Sequence, residues 1–250
     1  DVILPAGYLA AVNAELTQKP CDAFGGPDRA HSSFTPMQKA INYAMTSFFT
    51  TGGIRGQKKR MDKFYPRSFN MGVRREVYKA LGGFSNMRFG EDIDFSTRIF
   101  KGGYRCRLFP EAWVYHKRRT DLHKFFKQVH NSGIARIHLS RRHPGTHKLV
   151  HLLPAIFTLG VVILLLSAVL LAIFGHGCLA LTALSPLFLF SLLIGLDATR
   201  REHSLGVGCR AIAAAFVQLL GYGSGYLRAW WQCRVLHSGE FEAFSDSFYQ

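Results

Sequence analysis

Residues 89–116 read FGEDIDFSTRIFKGGYRCRLFPEAWVYH. A glycine and three carboxylates, Glu91, Asp92 and Asp94, come first. An apolar-periodic run follows and stops at Gly102–Gly103. Two short β-prone pieces, Tyr104–Phe109 and Ala112–His116, flank Pro110. Helix, glycine stop, strand and strand in so short a stretch predict a mixed α/β layer. The helix is expected over Asp94–Lys101. One acid ahead of a helix satisfies free backbone N–H groups and complements the dipole. Glu91 and Asp92 are then surplus, and their repulsion favours a raised pKa in one of them. Helix capping and a catalytic base both remain open on spacing alone.

The residues upstream extend the α/β pattern. Helices are expected at Leu9–Leu16, Pro36–Phe49 and Arg74–Leu81, the last stopped by Gly82 and Gly83. Asp22–Ala30 reads as a short strand and loop, and Phe69–Val73 as an extended piece. Thr51–Arg67, rich in Gly, Lys and Arg, reads as a mobile loop. Gly25, Gly26 and Asp28 form either a plain turn or a loop bordering an acceptor. The opening DVILPAGYLAAV reads as the end of one element running into a helix, so an upstream portion is expected to precede it.

Charge divides the chain. Residues 1–151 hold 26 Lys/Arg against 11 Asp/Glu, and residues 152–250 hold 5 against 5, so the whole +15 lies in the first part. That asymmetry points to an anionic surface, a membrane or a nucleic acid. The five cysteines are scattered without a CxxC pair, which suggests neither a disulfide framework nor a zinc site and fits a reducing compartment.

Leu152–Leu196 contains no Asp, Glu, Lys or Arg over 45 residues, enough for two crossings of a bilayer. The break at FGHGC (174–178) divides it into spans at about 152–174 and 179–196. Pro154 suits a first helical turn, and Pro186 is expected to kink the second span. A third apolar segment, 212–231, carries Gly221, Gly223 and Gly225, which suit close helix packing, and Trp230 and Trp231, which suit an interfacial belt. It either spans or is re-entrant. Residues 232–250 form a polar tail. Arg141, Arg142 and Lys148 before the first span and Arg200 and Arg201 after the second place both flanks in the cytoplasm.

Residues 117–151 form a basic segment. From His116 to His151 there are nine Lys/Arg, one acid and seven histidines. Leu122, Phe125, Phe126 and Val129 recur at helical spacing, as expected for an amphipathic interfacial helix. His123 and His130 share a face, as interfacial histidines or, less simply, as metal ligands. The charge gathers beside a membrane span and lacks the aromatic–basic interleaving of a single-strand binder, so no nucleic-acid partner is expected.

FNMGVRREVYKALGGF (69–84) and FGEDIDFSTRIFKGGYRCRLFPEAWVYHKRR (89–119), continued through the basic segment into the spans, resemble a family 2 glycosyltransferase with the GT-A fold. The ending GYGSGYLRAWW (221–231) is similar to the membrane-anchored, succinoglycan-type exopolysaccharide branch. The resemblance implies an α/β chain: a partial GT-A (Rossmann-like) domain over 1–116, lacking its nucleotide-binding half, followed by two to three transmembrane helices. It implies a nucleotide-sugar donor, a lipid-linked or glycan acceptor, contact with membrane lipids and no obligate protein partner. It makes Asp92 the catalytic base of an inverting transfer and Glu91 its support. Asn70, Arg74, Arg118, Arg119 and Gln128 become candidate donor- or acceptor-binding residues. Asp1, as the last acid of an Asp-x-Asp element, and His116 become candidate ligands of Mg2+ or Mn2+. His116 is equally a strand-end histidine with a backbone partner, and Lys117, Arg118 and Arg119 are equally part of a membrane-facing patch. Gln128 fits the Gln-x-x-Arg-Trp element of processive synthases, while Asn131 and Ser132 depart from it, so transfer of a single sugar at the cytoplasmic membrane face is expected. A non-catalytic membrane scaffold and a processive polysaccharide synthase are the alternatives.

Overall fold

The computed structural model of the chain describes residues 2–51 and 64–237. Asp1, most of the expected Thr51–Arg67 loop and the tail beyond residue 237 lie outside the described residues. In chain order the elements are β1 (Val2–Ile3), α1 (Tyr8–Gln18), β2 (Ala23–Gly25), β3 (Asp28–Arg29), α2 (Pro36–Thr46), α3 (Phe48–Thr51), β4 (Met71–Val73), α4 (Arg75–Ala80), α5 (Glu91–Lys101), β5 (Cys106–Leu108) and β6 (Val114–His116). Then follow α6 (Leu122–Arg142), a 3-10 turn (Leu149–His151), α7 (Leu153–Ile173), α8 (Gly177–Glu202) and α9 (Leu205–Arg234).

The chain divides into two compact units. Asp1–Phe34, Lys58–Arg118 and Leu139–Thr146 form the first, and Thr35–Gln57, Arg119–His138 and His147–Gln250 the second. The division expected at residue 116 is therefore crossed by α2, which belongs to the second unit.

The first unit holds two three-stranded sheets, ordered β4-β2-β5 and β1-β6-β3. In the first sheet β2 runs antiparallel to β4 and parallel to β5. Side chains alternate across a strand, so Ala23 and Phe24 of β2 face opposite ways. Ala23 packs with Val77 of α4 and with Phe95 and Ile99 of α5, an i, i+4 pair that is fully buried. Phe24 faces Cys21, Phe109 and Ala112, which Tyr8, Val12 and Leu16 of α1 cover at helical spacing. Its ring stacks on Phe109 at 4.5 Å. Helices thus cover both faces of this sheet. In the second sheet β6 is central, with Val2 opposite His116 and Asp28 beside Val114.

The second unit is helical. Thr35 caps α2 in a full capping box with Gln38, and Pro36 fills the first turn. The stripe Ala40, Ile41, Ala44 and Met45 packs with Ala211, Ala214 and Ala215 of α9. These facing small residues explain why α2 leaves the sheets that flank it in sequence. α7, α8 and α9 are each long and apolar enough to cross a membrane. α8 is continuous through Pro186.

α9 is one unbroken helix of 30 residues, longer than the expected 212–231 segment. It is also the interior helix: 39% of its apolar window is buried, against 11% for α7 and for α8. Its glycines serve two neighbours, because positions 221 and 225 share a face and 223 lies opposite. A Cβ on Gly225 would sit 2.0 Å from the His130 carbonyl oxygen of α6, and one on Gly223 would sit 2.3 Å from the Pro154 carbonyl oxygen of α7. Gly133 of α6 returns the contact, with Tyr222 O 2.1 Å from its would-be Cβ. The apolar face of α6 is thus buried against protein at Phe125 and Val129. Further along, Phe157 of α7, Phe190 of α8 and Phe216 of α9 cluster, Gly208 meets Thr199, and Ile212 meets Gly195. These contacts fall in the first part of α7 and the second part of α8.

Candidate active site

Gly90 takes a left-handed conformation (φ 83°) that L side chains rarely adopt, and it turns the chain into α5. The helix therefore begins at Glu91, three residues earlier than expected. Glu91, Asp92 and Asp94 all lie in its first turn, where the free N–H groups favour negative charge.

The three acids then part. Asp94 points inward, with its side chain 3% exposed. It pairs with Arg98 at 2.9 Å and with His143 Nε2 at 2.8 Å. Arg98 also donates to the carbonyls of Leu81 and Gly83, which ties α5 to the end of α4. Burial pushes the Asp94 carboxyl up, but hydrogen bonds from His143 and Arg98 outweigh it and hold the group below the usual carboxylate range. Asp94 is thus committed to the fold.

Asp92 is held more lightly. Its Oδ1 accepts from the Ile93 backbone N–H at 2.8 Å, and its Oδ2 lies 3.5 Å from Arg67 Nη1. Glu91 is half-buried; burial first, and the Asp92 charge as well, push its carboxyl above the usual range. The raised acid that adjacent carboxylates predict is therefore Glu91.

One turn links these acids to the second sheet. Arg67 and Asn70 bridge as an isolated β pair. Arg67 reaches Asp92, and Phe69 stacks on the His116 ring at 4.2 Å, with 17° between planes. Asn70 is buried; its Oδ1 accepts from Tyr8 Oη at 2.7 Å and its Nδ2 donates to Ala112 O at 2.9 Å. Gly26 makes room for it, since a Cβ there would lie 2.6 Å from Asn70 Nδ2. At the end of β6, His116 Nδ1 lies 3.9 Å from Asp28 Oδ2 and 3.5 Å from Arg118 Nη1. The buried Arg118 meets Asp28 at 2.5 Å.

Asp92, Glu91, His116 and Arg118 thus belong to one framework, joined through residues 67–70. Asn70 fastens that turn by both ends of its amide. Arg74 points elsewhere: its Nε donates to Cys21 O at 3.1 Å and lies 3.9 Å from Asp22. Arg119 and Gln128 lie in the second unit and pair with each other, Nε to Oε1 at 3.1 Å. Asp1 lies outside the described residues, and Val2, next to it, sits opposite His116. His130 bonds to Ser224 Oγ at 3.1 Å and stacks on Phe126.

The fit to a divalent metal is poor among the described residues. No group of three His, Cys, Asp or Glu side chains gathers there. Asp28 and His116 approach one another, but a guanidinium rather than an open coordination position meets the carboxylate. Mg2+ and Mn2+ prefer several oxygen donors. No chemical step is therefore routed through a metal.

Sequence reasoning missed Arg67 and Phe69. Arg67 closes a stretch read as loop, and nothing in its neighbours distinguishes it. Phe69 was legible as the first residue of an extended piece, but only the fold brings it against His116.

A family model described as glycosyl transferase family group 2 matches residues 3–196. A search of curated proteins returns no match.

Proposed function

The chain belongs to glycosyl transferase family group 2, and from that premise we propose that it moves a sugar from a nucleotide-diphospho-sugar to a lipid-linked glycan acceptor, with inversion, at the cytoplasmic face of the membrane. The observation that carries this reading is the framework joining Asp92, through Arg67 and Phe69, to His116, Asp28 and Arg118. Asp92 is the base. It takes the proton from an acceptor hydroxyl while that oxygen attacks the anomeric carbon, and the nucleoside diphosphate leaves with the bonding electron pair. Glu91, with its raised pKa, and Arg67 orient Asp92. Arg118 offers positive charge, and His116 an N–H donor, towards the leaving diphosphate, which is electrostatic stabilisation. Arg119 and Gln128 are proposed to contact the acceptor. The product belongs to cell-surface or exopolysaccharide synthesis.

Membrane attachment suits a lipid acceptor, because the reactive group stays at the bilayer surface. In this reading α7 and α8 form a hairpin whose turn faces away from the cytoplasm, and α9 packs across the cytoplasmic end, where α7 begins and α8 finishes. Cys178 and Cys209 are both exposed. An impermeant thiol reagent added to intact cells is expected to label Cys178 and spare Cys209, and the reverse pattern would invert the topology.

The catalytic test uses membranes holding the full protein, labelled nucleotide-sugars and extraction of lipid-linked product. Asp92→Asn is expected to lower transfer by about 10²–10⁴-fold, the usual worth of a positioned base, with an unchanged melting curve. Undiminished transfer by that variant would return Asp92 to a capping role.

A further inference from the structure

A second cluster of polar groups lies within the helical unit, apart from the acids of α5. Arg136 of α6 has a buried Nε with no hydrogen-bond partner among the described residues. His147 Nε2 and Tyr226 Oη of α9 lie 3.1 Å apart. The rings of His147 and His151 are 5.7 Å apart. The Lys148 backbone N–H donates to His151 Nδ1 at 3.1 Å, which fixes the tautomer and leaves Nε2 as the N–H donor. Among the described residues no carboxylate pairs with Arg136, His147 or His151.

The electrostatics agree. Burial pushes the His151 imidazole down to about 3, and Arg136, His147 and Lys148 all push in the same direction. His147 is lowered likewise, by burial and then by Arg136. The charged groups that push on His151 are basic ones, Arg136 and Lys148 among them. A group that brings a negative charge and accepts several N–H and O–H bonds suits such a place. Guanidinium matches phosphate in geometry as well as in sign.

Position narrows the ligand. His151 stands two residues before α7, whose apolar run begins at Leu153. The start of a spanning helix lies at the headgroup level, just outside the hydrocarbon. We propose that Arg136, His147, His151 and Tyr226 form a binding site for the phosphate of a membrane lipid, at the point where α7 enters the bilayer. Arg136 supplies the charge, while His151 Nε2–H and the Tyr226–His147 pair supply directed hydrogen bonds. The proposal rests on the membrane reading of α7 and is independent of the transfer chemistry.

The test is lipid retention by the full protein. Purified in detergent, stripped of lipid and then mixed with labelled phosphatidylglycerol, the wild type is expected to carry the label through gel filtration. Arg136→Gln removes a charge-assisted bond and is expected to weaken retention about tenfold or more. Arg136→Lys is expected to restore part of it. Lys127→Gln, at an exposed basic position on the same helix, is expected to behave as wild type. Where Arg136→Gln fails to fold, as shown by its melting curve, His151→Gln and Tyr226→Phe carry the same comparison. Full retention by the site variants, or an equal loss in Lys127→Gln, would overturn the proposal. Competition then separates the sources: displacement by a polyprenyl phosphate makes the ligand a glycan-carrier lipid, and resistance to it makes the ligand a bulk phospholipid. Displacement by inorganic phosphate as effective as by lipid would overturn the membrane-lipid assignment. Sugar transfer is not read in this assay, so its outcome and that of the catalytic test are separable.

Discussion

In the first unit the strands are two or three residues long, too short to hold a fold by backbone pairing alone. Apolar clusters on its faces hold it, and side-chain charge pairs add to them: Asp94 with Arg98 and His143, Asp92 with Arg67, Asp28 with Arg118, and Glu15 with Arg107 at 2.7 Å. In the second unit the contacts depend on side chains that are small or missing, at Gly133, Gly208, Gly221, Gly223 and Gly225 and at the alanines of α2 and α9. The first unit is thus vulnerable to loss of charge, and to added volume at Gly26 and Gly72, while the helix contacts of the second unit are vulnerable chiefly to gain of volume. Substitutions can break that contrast or sharpen it.

The largest effect on stability is expected at Asp94. Asp94→Ala leaves Arg98 and His143 without their buried partner, and breaking a buried pair in this way costs about 3–5 kcal/mol. Thermal unfolding of the purified protein checks it. A drop no larger than that of a surface acid such as Glu111→Ala would show that the pair contributes little. The pH dependence carries a sign. The folded pKa of Asp94 lies below the usual 3.8, so its pairing stabilises the protein above that value. The contribution is lost as pH falls below 3.8 and through the folded value. Asp94→Asn is expected to flatten this acid limb.

The second unit is expected to respond to a methyl group. In Gly225→Ala the new Cβ would meet the His130 carbonyl at 2.0 Å, so α6 and α9 must part. Overpacking typically costs about 1–3 kcal/mol. Gly175→Ala, with nothing within 4 Å of its Cβ, tests volume where there is space, although its positive φ adds a local strain of its own. Equal melting losses for Gly225→Ala and Gly160→Ala, the latter in open space on α7, would remove the contrast between the units.

How far these features were legible in sequence follows from the range of the interactions. α7 and α8 were legible because apolar length is a local property. The helices of the first unit were legible from glycine stops and apolar spacing. The start of α5 was not, because it depends on the left-handed backbone of Gly90 rather than on an acid acting as cap. The separate fates of Asp92 and Asp94 were not legible either. Two residues apart on a helix, they face about 200° apart, and His143, 49 positions away, decides which one is locked. The departure of α2 to the helical unit depends on alanines some 170 positions downstream and left no local sign. The acid pair itself is legible as dense negative charge in a basic chain.

The smallest effect, and the one that best separates folding from function, is expected at Gln128. Among the described residues its side chain bonds only to the Arg119 Nε, at an exposed position, and such a surface contact contributes about 0–1 kcal/mol. Gln128→Ala should therefore leave the melting temperature within error. If Gln128 and Arg119 contact the acceptor, the same variant raises the KM for acceptor and leaves kcat close to wild type, because a contact made equally in the ground and transition states affects binding alone. A fall in kcat with KM unchanged would place Gln128 in the reaction itself. An unchanged KM and kcat would leave the pair as surface structure, with acceptor recognition resting on other residues. The contrast with Asp94 is then complete: there a large loss of stability is expected from a carboxylate outside the chemistry, and here a kinetic change from a residue that the fold does not need.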